Sequence, residues 1–152
     1  IFPFSNSSGA FWEVPVNADG ACQFRALAFC LFGDEERHGD LRTRICDFME
    51  GQRAKYAGFL SEESFPSYIS RMRISSSWGD HLTLQAASDA LDVDINLVTS
   101  YPEKGLIEVR PSDGAEYEEA EDIAGRERLS PLWIGYWADV HYNPLVSTAS
   151  KR

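Results

Sequence analysis

The stretch Asp19-Gly20-Ala21-Cys22 runs straight into a dense apolar segment that ends at Phe32. Asp and Gly mark a tight turn, so the thiol falls in the first turn of a helix rather than inside it. With Asp19 as N-cap, Cys22 stands at the third helical position. Unpaired backbone N–H groups and the helix dipole there favour an anion, and a thiolate is one. Such placement lowers a cysteine pKa into a range of roughly 3.5–7.5. The same N–H groups, with those of the Asp19–Ala21 turn, can hold an oxyanion beside an attacking sulfur. Gly20 lets the backbone turn tightly and approach a substrate. A buried cysteine at a capped helix start is the plainer alternative that this segment leaves open.

A thiol nucleophile needs a base, and the base needs a group to orient it. Of the three histidines, His38 lies in the charged run DEERHGD and reads as solvated. His81 sits at the start of a helix and reads as a cap or packing residue. His141 follows an apolar aromatic strand, in WADVHYNP, with Asn143 two residues on. In a strand, residues i and i+2 share a face, about 6.6 Å apart. The Asn143 carbonyl oxygen can then reach an imidazole N–H and fix its tautomer, while Tyr142 points the other way. Cys early, His and Asn late is the chain order of papain-like thiol proteases.

Helices and strands must bring these distant residues together. Phe11–Val16, with Pro15 inside it, reads as a short edge strand or an extended lead-in. Cys22–Phe32 is a buried helix stopped by Gly33. Leu41, Ile45, Phe48 and Met49 repeat at helical spacing, with Arg42, Arg44 and Asp47 facing out. SEESFPSYISRMR holds a short helix with Pro66 in its first turn. Asp80 caps a fourth helix through HLTLQAASDAL. Val93–Thr99, Leu106–Arg110 and Leu132–Trp137 are strands, Tyr136 and Trp137 reading as core, and Pro144 is expected to stop the ladder. The order, helices first and a small sheet later, gives an α+β class.

The 152 residues make one domain, with a core over about 11–145. Residues 112–130 are polar and acidic and read as a surface insertion, and 146–152 as a flexible tail. The net charge is −10, and the 14 Lys and Arg form no basic stripe, which argues against nucleic acid. No apolar run nears the ~20 residues that span a membrane. Three cysteines argue for a reducing compartment and against a disulfide framework or a zinc site, with Cys30 and Cys46 read as core residues. The location expected is therefore intracellular, cytoplasmic or nuclear.

DGACQFRAL resembles the nucleophile segment of the ovarian-tumour (OTU) family of cysteine deubiquitinases, whose pattern is D-G-x-C-x-x-R-A. WGDHLTLQAASDAL resembles the family's internal segment and YWADVHYNPL its C-terminal His block, in the family's order. The phrases WGDHLTLQAA, INLVTSY and WADVHYN are similar to the plant-type branch. Residues 112–130 match nothing in the pattern. The resemblance implies a papain-like α+β fold, a small twisted sheet between helical lobes, with Cys22 as nucleophile and His141 as general base. In some members an Asn or Asp two after the His orients the ring, here Asn143. In others the Asp three before the Cys does so, here Asp19. Asn143 is favoured as orienter, and Asp19 as shaper of an oxyanion turn with Gly20 and Ala21. Trp78 would wall the channel for the ubiquitin tail and Gly79 would pair with its backbone. Arg25 is expected to anchor the helix by ion pairs.

The reaction implied is hydrolysis of the isopeptide bond at the ubiquitin C-terminal glycine, through a thioester, by a monomer without metal or cofactor. The partner is ubiquitin or polyubiquitin, whose basic tail an acidic surface complements. The competing readings are a protease for another ubiquitin-like modifier and an inactive ubiquitin-binding module.

Overall fold

The computed structural model describes residues 3–6, 9–112, 129–137 and 141–147. Two strands, β1 (Pro3–Asn6) and β2 (Gly9–Glu13), precede helix α1 (Cys22–Phe32) and a 3-10 turn at Glu35–Arg37. Helices α2 (His38–Gly51), α3 (Arg53–Ala57), α4 (Phe65–Met72) and α5 (His81–Leu91) follow. Strands β3 (Ile95–Thr99), β4 (Leu106–Val109), β5 (Leu132–Trp137) and β6 (His141–Ser147) complete one six-stranded sheet, ordered β1-β2-β6-β5-β3-β4. Among the described residues, only the β3–β5 pair is parallel. The α+β class expected from the sequence is the class observed.

Helix α1 forms the centre. Every residue from Cys22 to Ala28 is buried, the polar Gln23 and the charged Arg25 included. It packs on β5 and β6 on one side and on α2 on the other, and α2 in turn meets α4 and α5. Burying Phe24 and Leu27 stabilises the fold by roughly 1.5–3 kcal/mol each. Gly33 ends α1 at φ 70° in the left-handed region, and its N–H donates to the Phe29 carbonyl. Ser64 caps α4 with Pro66 in the first turn. Asp80 and Thr83 form a reciprocal capping box on α5.

The structure corrects several expectations. Residues 11–13 belong to an interior strand, since β2 pairs with β1 and β6, and Pro15 falls beyond its end. Pro144 does not stop β6: it lacks only a donor, and its carbonyl accepts the Val14 N–H at 2.9 Å. The strand therefore runs to Ser147, so Val146 and Ser147 are sheet residues paired with β2 rather than tail. Trp137 is 42% exposed and is not a core residue. The expected insertion lies outside the described residues over 113–128, as does the end of the chain over 148–152. Among the described residues, no helix is long and apolar enough to cross a membrane.

The largest correction is Arg42, expected outward and in fact buried. Its guanidinium lies over the Phe24 ring, 4.1 Å from the centroid. It donates to the carbonyls of Met72 (2.8 Å), Ser75 (3.0 Å) and Ser77 (2.9 Å). One cation thus gathers the chain leaving α4 and directs it toward Trp78. Arg42→Ala leaves those carbonyls short of a donor and is expected to lower the unfolding free energy by more than roughly 2 kcal/mol in a urea titration. A change under about 0.5 kcal/mol, the scale of a surface substitution, would contradict this role.

Candidate active site

Cys22 is the first residue of α1, and Ala21 takes the N-cap position without a side-chain bond. The expected placement, Asp19 as cap and Cys22 two positions further in, is therefore shifted. Asp19 shapes the turn instead: its Oδ1 accepts the Ala21 N–H at 3.0 Å and its carbonyl accepts the Cys22 N–H at 3.2 Å. Arg25, one helical turn on, grips the same carboxylate through Nε and Nη2, at 3.1 Å and 3.0 Å. Arg25 also pairs with Glu35 and Glu36, so it anchors the helix by ion pairs as the sequence suggested. The Arg25 guanidinium holds the Asp19 carboxyl below the usual carboxylate range.

The Cys22 side chain is fully buried. Burial pushes its thiol up, against the pull of the Tyr142 and Gln23 backbone N–H groups. The lowered pKa expected from a helix N-terminus is thus overturned, because loss of water outweighs the nearby N–H dipoles. Cys30, half-buried later on α1 and donating to the Trp133 carbonyl at 3.7 Å, is pushed up to about 12 by loss of water.

Gly20 is required by a close approach. A Cβ there would lie 1.8 Å from the Ser76 carbonyl oxygen, a backbone atom of the loop that Arg42 gathers. Gly79 has a similar reason, since its Cβ would meet the Gln23 amide at 2.2 Å. Gln23 follows the cysteine, is fully buried, donates to the Asp80 carbonyl at 3.0 Å and accepts from Thr83 Oγ1 at 2.6 Å. It ties the start of α1 to the start of α5, a role the sequence did not disclose. A buried amide beside the candidate nucleophile was the available signal.

His141 opens β6, and its Nε2 lies 2.8 Å from Asn143 Oδ1. The i, i+2 geometry expected from a strand brings these two together. Asn143 is buried, and its Oδ1 also accepts the Val16 N–H at 3.0 Å. A backbone N–H can only donate, so the oxygen of this amide must face Val16 and His141. The ring then carries its proton on Nε2 in the neutral form. Nδ1, buried and without a partner among the described residues, is left with a lone pair. Tyr142 between them stacks on Tyr136 at 4.6 Å, and its backbone faces the Cys22 sulfur. Of the two candidate orienters, Asn143 contacts the imidazole, while Asp19 is engaged by Arg25 and Ala21.

A cleft of about 490 Å³ opens beside His141, lined also by Trp78, Gly79, Asp80, His81 and Tyr142. Trp78 is 52% exposed, so it is a surface residue of the cleft rather than part of the core. His81, expected as a cap or packing residue, faces this cleft.

Gly20→Ala must displace the Ser76 carbonyl and is expected to destabilise the chain by roughly 1–3 kcal/mol in chemical unfolding, an unchanged midpoint arguing against the close approach. The raised thiol predicts that alkylation of Cys22 by iodoacetamide keeps accelerating above about pH 8.5, the range of an ordinary thiol. A rate that levels off below about pH 6 would show a thiolate preformed at rest.

Residues 17–126 match the family described as "OTU-like cysteine protease". OVARIAN TUMOR DOMAIN-containing deubiquitinating enzyme 10 of Arabidopsis thaliana is 36% identical over 135 residues, covering 89% of this chain and 34% of that protein. Enzyme 11 of the same name and organism is 35% identical, with coverage of 89% and 50%. The chain thus spans from a third to half of the length of these relatives. Among solved structures, an OTU domain in complex with ubiquitin superposes with a TM-score of 0.71 at 22% identity, covering 93% of this chain and 73% of that one. The OTU of Hazara virus bound to ubiquitin gives 0.70 at 13% identity, with coverage of 97% and 87%. The cysteine at a helix start, the strand histidine and its asparagine stand on a chain that belongs to the OTU family of cysteine proteases, on the side of its plant members.

Proposed function

We propose that the chain is a deubiquitinase that hydrolyses the isopeptide bond at the ubiquitin C-terminal glycine. The observation that carries this reading is the orientation of His141. With Nε2 held by Asn143, the Nδ1 lone pair, without a partner among the described residues, belongs to a residue whose neighbour, Tyr142, contacts the Cys22 sulfur through its backbone. The curated relatives support the substrate class, being named deubiquitinating enzymes, as do the OTU structures solved with ubiquitin.

Cys22 gives its proton to His141 Nδ1 as the sulfur attacks the glycine carbonyl. The raised thiol makes this a general-base step, not the attack of a standing thiolate. The N–H groups of the Gly20–Cys22 turn steady the oxyanion, and that of Cys22, held by only a long bond to the Asp19 carbonyl, is the readiest donor. The imidazolium returns the proton to the departing lysine amine as the C–N bond breaks, leaving a thioester. Water, deprotonated by the same nitrogen, attacks the thioester and releases the ubiquitin carboxylate and the thiol. Asn143 is the third member of the triad, and Asp19 fixes the turn. Trp78 and Gly79 line the cleft as the wall and backbone partner of the diglycine tail. The net charge of −10 suits a basic tail through long-range attraction.

Ubiquitin with a C-terminal propargylamide, read by intact mass, tests this reading. The wild-type chain is expected to gain one ubiquitin and Cys22→Ala none. His141→Ala should be slower by roughly 10²–10⁴-fold, the usual worth of a general base. A folded wild type that forms no adduct would overturn the reading, and the same warhead on other ubiquitin-like modifiers would then identify the substrate.

A further inference from the structure

Glu13 lies on β2, nine residues before the cysteine, and is 3% exposed. Among the described residues no cation pairs with it. Burying a carboxylate without a cation is costly, and an apolar residue would serve an interior strand better. Its Oε1 instead accepts two neutral donors, Asn143 Nδ2 at 2.7 Å and Trp137 Nε1 at 2.6 Å. Both lead to one place. Asn143 is the residue on the imidazole, and Trp137 is the cross-strand partner of His141.

We propose that Glu13 is a positioning residue for the thiol–imidazole pair, acting through the Asn143 amide. An indole N–H can only donate, so Oε1 is an acceptor and the Asn143 atom facing it must be Nδ2. Val16 fixes the other end of the same amide. Held at both ends, Asn143 cannot rotate, and its oxygen stays on His141 Nε2. The carboxylate polarises the amide so that its oxygen becomes a better acceptor as His141 takes the thiol proton and turns positive. A charge placed two hydrogen bonds behind the ring helps the transition state without touching substrate. The inference rests on the reading of Cys22 and His141 as nucleophile and base.

A double-mutant cycle tests it, using Glu13→Gln, Asn143→Ala and the pair. One readout is turnover of ubiquitin carrying a C-terminal fluorogenic amide. The other, which needs no ubiquitin, is the rate at which iodoacetamide alkylates Cys22. Glu13→Gln is expected to lower kcat about tenfold and the alkylation rate in the same direction, with KM unchanged. In the Asn143→Ala background the same change should have almost no effect, because its route to the ring is gone. Equal effects of Glu13→Gln in both backgrounds, or none in the wild type, would overturn the proposal. Should Glu13→Gln fail to fold by circular dichroism, Trp137→Phe removes the other donor to the same oxygen. It should lower kcat and alkylation in the same sense by a smaller factor, and no change would count against the proposal. Coupling seen in alkylation with no turnover of ubiquitin would retain Glu13 and reject the deubiquitinase.

Discussion

The first residue of α1 is fully buried and pressed against the backbone of β6, and the site follows from that contact. A helix that entered the core one turn later would leave its cysteine in water. One that entered earlier would separate it from Tyr142 and thus from His141. The contact is fixed from both sides. Inside, Phe24 and Leu27 hold the helix in the core. Outside, Asp19 and Arg25 hold the turn that leads into it. Stability and chemistry therefore share one element, and a change that loosens α1 disturbs both.

The electrostatic design follows from burial. Removing water from a thiol favours its neutral form, and the nearby N–H groups do not reverse this. In the proposed step the buried thiol pairs with the ring and gives up its proton when a carbonyl arrives. Such a pair depends on the ring nitrogen that lacks the proton being the one available for the transfer. Val16, Asn143 and Glu13 secure that from the far side of the ring, with β2 supplying Glu13 and the segment after it Val16. On the proposed roles, a strand before the nucleophile thereby serves the base, although the two lie more than a hundred residues apart in the chain.

The cysteine, histidine and asparagine were legible because each sits in a short local pattern: turn then helix, and two positions of one strand face. The helices α1, α4 and α5 were legible for the same reason, through Gly33, Pro66 and Asp80. What escaped depends on partners distant in sequence. Glu13 looked like an ordinary polar residue of a strand until β6 came to lie beside it. Arg42 occupies an outward-looking position in α2 until the chain after α4 brings three carbonyls to its guanidinium. Pro144 reads as a stop unless its carbonyl is known to face Val14. The short helix α3 carries few apolar residues and is tied down at Tyr56, whose hydroxyl donates to Asp89 at 2.6 Å. The helix dipole at Cys22 was read correctly from the sequence and its net effect was not, since burial is a tertiary property.

The proposed mechanism stands on Cys22 attacking a ubiquitin carbonyl and carrying the acyl group. Rapid mixing with a ubiquitin C-terminal amide, acid quench and intact mass would test it most directly. The expected result is a transient species bearing one ubiquitin as an acyl group on Cys22, lost on treatment with hydroxylamine. Turnover without any hydroxylamine-labile adduct, or turnover that survives in Cys22→Ala, would contradict it.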